Sequence, residues 1–241
     1  MLFLLLESLA FAEEAAPGFT LSEMWEHAGL IARGVIITLV VMMFVAIIVG
    51  FERMIAFRNA KVRSMRLASE IVGSLQKNDV TGALRIAQDD QFKGAYLTGI
   101  LKAGLQEFAA RVDSYGLENA QRAVAKAHGE ELGKLQKGMT VLATVGSTAP
   151  FVGLLGTTFG VINAFQGMAT AGSGLASISA GISEALITTG VGIGVAVFGV
   201  WMFNYFNFRI AKVSDELASS EAEFLQWAAK LLQSRDASAA K

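Results

Sequence analysis

Glu184 is the one side chain charged at neutral pH between Gly138 and Phe208. Its surroundings are apolar, small or hydroxyl-bearing. A carboxylate at a bilayer centre costs about 2.5–3.5 kcal/mol on insertion scales. A chain keeps one there when it is shielded, paired or used. Thr144, Ser147, Thr148, Thr157, Thr158 and Asn163 precede it, and Ser183, Thr188 and Thr189 adjoin it. A carboxyl among such groups is suited to accept and release a proton, or to supply the fixed charge of a cation path. On a helix Thr188 lies one turn on from Glu184 and shares its face, whereas Thr189 is about 140° away. Two plainer readings compete. Each threonine, taken singly, more often bonds back to its own helix. Glu184 is also satisfied by an ion pair, for which Arg33 is the candidate partner.

Composition narrows the chemistry. Of 241 residues, 53% are hydrophobic and 17% charged, against about 25% charged in a soluble domain. A net charge of −1 gives no case for nucleic acid. With no cysteine there is no disulfide, thiolate nucleophile or Cys-based metal site. His27 and His128 lie far apart in sequence, which argues against His–metal or His–base chemistry. Gly156-Thr157-Thr158-Phe159-Gly160 is glycine-rich but has no lysine, so it reads as helix packing rather than a phosphate loop. No enzyme, metal or cofactor is expected.

The elements that must position Glu184 are helices. We expect an all-α membrane protein with three transmembrane helices and long helical cytoplasmic extensions. Residues 1–30 form an outer-face arm and an amphipathic helix. Its first 12 residues end in Ala10-Phe11-Ala12 and read equally as a signal-like segment or an uncleaved arm. Thr20-Leu21-Ser22-Glu23 fits a capping box, with Trp25 at headgroup level. Residues 31–52 make the first span, with Arg33 at one end and Arg53, Arg58, Lys61, Arg63 and Arg66 beyond the other. Residues 53–137 are a cytoplasmic helical section, enough for a small hairpin, in which Asn78 or Asp79 caps a helix. Residues 138–170 are the second span, kinked at Pro150. An outer turn follows at 171–177 and the third span at 178–208. Residues 209–241 are a cytoplasmic C-terminal helix and tail, opened by Arg209 and Lys212. The basic residues place the N-terminus outside and the C-terminus in the cytoplasm.

Two segments carry a resemblance. Ala149-Pro150-Phe151-Val152-Gly153-Leu154-Leu155-Gly156-Thr157 and Gly181-Ile182-Ser183-Glu184-Ala185-Leu186-Ile187-Thr188-Thr189 resemble the proton-channel family of TolQ, ExbB and MotA in motif, order and separation. Weaker similarity runs from His27-Ala28 through the first span and includes Phe203-Asn204. The three-span layout is similar to TolQ and ExbB rather than four-span MotA. The resemblance implies a multi-pass subunit of the bacterial inner membrane that forms a homopentamer. It implies a one-span partner of the ExbD/TolR type, carrying a membrane Asp, inside the ring. Proton flow then drives work on a periplasmic or outer-membrane force receiver. Thr157, Glu184 and Thr189 match the family's functional polar residues. Ala180 and Phe198 stand where the family usually has proline, which brings gliding-motility motors into the implied range. The competing function is a passive membrane scaffold that recruits partners through its cytoplasmic helices. Three non-repeating spans count against a secondary transporter. Hydroxyls beside Glu184 leave Na⁺ open as the coupling ion, although one carboxyl suffices for H⁺.

Overall fold

The computed structural model describes residues 29–171 and 175–239, and every regular element among them is helical. The N-terminal arm to residue 28, with its capping box and Trp25, lies outside the described residues, as do 172–174 of the expected outer turn. The helices are α1 Leu30–Gln76, α2 Val80–Ala87, α3 Tyr96–Ala110, α4 Ser114–Gln136, α5 Met139–Ala171 and α6 Leu175–Ala239. A 3-10 turn, Asp90–Phe92, separates α2 from α3. Helices α1, α5 and α6 are long and apolar enough to cross a membrane.

Helices α1 and α6 do not stop where their apolar runs stop. Each continues unbroken through the charged segment that follows, for 47 and 65 residues in all. The change in polarity at residues 52 and 209 alters the surroundings of the helix, not its backbone. No glycine or proline lies between 209 and 239 to end it, so α6 reaches Ala239 through residues where a frayed tail was expected.

The chain divides into two compact units, one of residues up to 45 and 145–198, the other of residues 46–144 and 199 onward. The second unit has one apolar core. Leu67 of α1, Ala83 of α2, Phe108 of α3, Val124 of α4 and Phe224 of α6 all lie within it. The expected hairpin is therefore part of a larger bundle that includes the C-terminal helix. Gly104 lets α3 approach closely: a Cβ there falls 2.5 Å from Phe224 and 2.6 Å from Val124. Trp227 Nε1 donates to the Leu75 carbonyl at 2.9 Å, tying α6 to the end of α1.

Capping opens the short helices of this unit. Asp79 accepts the Gly82 N–H at 2.8 Å and starts α2; Asp113 accepts the Gly116 N–H at 2.8 Å and starts α4. Those main-chain donors hold both carboxyls below the usual carboxylate range, helped by Thr81 at Asp79 and by Arg111 at Asp113. Gly138, at φ +82°, makes the left-handed turn from α4 into α5.

Candidate functional site

The first unit is built on a seam of small residues. Helix α5 contributes Ala149, Gly153, Gly156, Gly160 and Ala164 at three- and four-residue spacing, and α6 contributes Gly181, Ala185, Thr188 and Gly192. A Cβ on Gly192 meets the Ala149 carbonyl oxygen at 2.8 Å and Gly153 Cα at 3.0 Å. One on Gly160 meets Ala185 Cβ at 2.9 Å, and one on Gly181 meets Ala164 Cβ at 2.7 Å. The two backbones touch because side chains are missing between them, which is how helices pack where lipid gives no hydrophobic drive. Helix α1 joins on one side, with Val35 Cγ1 3.1 Å from the Cβ position of Gly156.

The threonines divide by their place on this seam. Thr188 is buried within it, against Gly156, and its hydroxyl donates back to the Ala185 carbonyl at 2.6 Å. Thr189 reaches across: its Oγ1 donates to the Gly153 carbonyl of α5 at 3.0 Å. Thr157 and Thr158 both donate to the Leu154 carbonyl, at 2.8 and 3.0 Å, as ordinary back-bonded helix threonines. Pro150 lies inside α5 and supplies no N–H to the Gly146 carbonyl.

Glu184 is half-buried on α6, and its Oε1 is shut off from solvent. At about 100° per residue, Glu184 and Thr189 fall on opposite flanks of the seam. Because α5 and α6 run antiparallel, the same arithmetic puts Thr157 on the flank of Thr189. Glu184 is on the flank where α1 packs, with half-buried Arg33 two residues before Val35. A single chain thus brings Thr157 and Thr189 to one side and Glu184 to the other. The face shared by Glu184 and Thr188 on a wheel is used mainly to pack Thr188.

The Thr189–Gly153 contact between helices was not legible beforehand. The spacing of Gly153, Gly156 and Gly160 signals a packing face, and the partner register comes only with the fold. Among the described residues no group of three or more Asp, Glu or His is placed to hold a metal.

Comparison with known proteins places this geometry. The MotA/TolQ/ExbB proton channel family matches residues 94–219, just over half the chain and inclusive of both glycine-rich helices' facing stretches. The Tol-Pal system protein TolQ of Pseudomonas aeruginosa is 32% identical over 198 residues, covering 78% of this chain and 84% of that protein. The chain belongs to the MotA/TolQ/ExbB proton channel family. The biopolymer transport protein ExbB of Salmonella typhimurium is 28% identical over 226 residues, covering 88% of this chain and 86% of the relative. That of Xanthomonas campestris is 48% identical over a shorter 91 residues, 37% of this chain and 36% of the relative. The protein is accordingly a multi-pass channel protein and not an enzyme.

Proposed function

We propose that this chain is one protomer of a proton-driven motor in the bacterial inner membrane. It couples the proton motive force to work on periplasmic or outer-membrane partners, in the manner of Ton and Tol energy transduction. Glu184 carries the proton and Thr157 and Thr189 line its route, while Thr188, expected on that route, packs the seam beside Glu184. The observation that supports this most is Glu184 itself, with a desolvated oxygen in an otherwise uncharged stretch of α6.

Two features favour a ring, which we take to be a homopentamer. Thr157 and Thr189 lie on the flank of the seam opposite Glu184, so a path that uses all three passes between neighbouring protomers. Phe151, Leu154, Leu186 and Ile193 are 50–70% exposed on the isolated chain and call for cover by lipid or by further helices. A one-span ExbD/TolR-like partner with a membrane Asp completes the path. The N-terminus is periplasmic and the C-terminus cytoplasmic. Pro150 kinks α5 beside the path. Relatives named for the Tol-Pal system and biopolymer transport favour that output. Ala180 and Phe198 favour gliding motility as the second reading.

The test is energised function in cells carrying Glu184→Gln or Glu184→Ala. Both variants, expressed at normal levels, should lose it; retention by both removes the reading. The scaffold alternative pairs Glu184 statically with Arg33. It requires the double change Arg33→Glu with Glu184→Arg to restore function, whereas the motor requires that it does not. Activity in sodium-free buffer that a protonophore abolishes separates H⁺ from Na⁺.

A further inference from the structure

We propose that the groove between α1 and α6 in the second unit binds an anionic diacyl phospholipid. A cavity of about 390 Å³ opens there, between the 54–65 stretch of α1 and residues 205–209 of α6. Its floor is apolar: Phe57 and Phe206 stack at 5.7 Å between ring centres, and both are buried. Its walls are apolar and exposed, with Met54 at 47%, Met65 at 62% and Tyr205 at 45%.

Three cations complete the lining, Arg58, Lys61 and Arg209, and no lining residue carries a carboxylate. Among the described residues none of the three takes part in an ion pair; Arg209 instead lies over the Tyr205 ring, 5.9 Å from its centre. Their positive charge is left for a ligand.

Position selects the occupant. The uncharged run of α1 ends at Phe51 and that of α6 at Phe208. Arg58, Lys61 and Arg209 are within about 15 Å of those ends along the helix axes. Arg209 is at headgroup level there, and Arg58 and Lys61, about 10 and 15 Å past Phe51, reach back toward it along their side chains. Phosphate on the cations with acyl chain against Met54 and Phe57, on the membrane side of Arg58 and Lys61, matches the cavity's division into charged and apolar parts, and basic pockets between membrane helices hold anionic headgroups in this way. The guanidinium groups offer forked donors to phosphate oxygens. Charge complementarity therefore favours an acidic lipid over a neutral one or a second copy of this chain.

Native mass spectrometry of the full chain in detergent, titrated with phosphatidylglycerol and with phosphatidylcholine of the same acyl chains, tests this. Phosphatidylglycerol adducts should form and survive where phosphatidylcholine adducts do not. The triple variant Arg58→Gln, Lys61→Gln, Arg209→Gln should bind phosphatidylglycerol more weakly by on the order of 100-fold. Arg58→Lys with Arg209→Lys should recover most of the binding, because charge is kept. All these side chains sit at a surface, and unchanged circular dichroism confirms the fold of each variant. Equal binding of the two lipids, undiminished binding by the triple variant, or no adduct at all overturns the proposal. Displacement by equimolar glycerol 1-phosphate also overturns it, and assigns the groove to a free phosphate instead.

Discussion

Gly192→Ala adds one methyl group at the closest approach of α5 and α6. The new Cβ lies 2.8 Å from the Ala149 carbonyl oxygen, which is backbone and cannot rotate away. Reaching the 3.4 Å at which ordinary contact begins needs a retreat of about 0.6 Å. The same retreat stretches the Thr189–Gly153 hydrogen bond from 3.0 Å to about 3.6 Å, beyond bonding range. Overpacking of this kind costs about 1–3 kcal/mol, and an interhelical bond in a membrane averages about 0.6 kcal/mol. Alanine returns up to about 1 kcal/mol in helix propensity. The net loss is roughly 1–2 kcal/mol. Gly190 is the internal control, because a Cβ there meets nothing within 4 Å. Thermal unfolding of both variants in one detergent, followed by circular dichroism, makes the comparison. Gly192→Ala should melt below wild type and Gly190→Ala should not. Equal melting temperatures for the two refute the seam as the structural basis of the site.

Three further outcomes follow from the same contacts. Thr189→Val, which exchanges the hydroxyl for a methyl, should cost under about 1 kcal/mol in a detergent melt yet impair energised function, and Thr189→Ser should restore it; a functional defect no larger than that of Thr158→Val argues against a role for Thr189. Gly104→Ala should lower the melting temperature, because its Cβ would collide with Phe224 and Val124, while Gly129→Ala, with nothing within 4 Å, should leave it unchanged or raise it. Asp79 and Asp113 have folded-state affinities for protons below those of the unfolded chain, so their capping adds stability above the ordinary carboxylate pKa and loses it as pH falls through the lowered folded values. Asp113→Ala should therefore reduce stability at neutral pH, with the gap to wild type closing in acid; a gap independent of pH would contradict the capping assignment.

Charge pattern alone picked out the three helices long and apolar enough to cross a membrane, because burying even one ion in lipid is costly enough to clear the sequence between Gly138 and Phe208 of all but Glu184. The same pattern could not show that α1 and α6 run on unbroken, since helix continuity depends on the absence of breakers rather than on polarity. Nor did it show that Leu217, Phe224 and Ala228 of α6 share one core with α3 and α4. An amphipathic stripe shows that a partner exists without naming it. On the wheel Thr188 shares a face with Glu184, but the seam buries Thr188 and turns its hydroxyl onto Ala185. Thr189 matters to the geometry because Gly153 has no side chain to keep it off the carbonyl. That is a property of two helices in register, and it is visible only once both are placed.

Proton flux through Glu184 is the quantity on which the account depends. Liposomes holding the full chain with the proposed one-span partner, loaded with a pH-sensitive dye and given a potassium–valinomycin potential in sodium-free buffer, report it directly. Wild-type vesicles should acidify or alkalinise with the sign of the imposed potential, and Glu184→Gln vesicles of equal protein content should show only the leak of protein-free liposomes. Undiminished flux in Glu184→Gln would contradict the account.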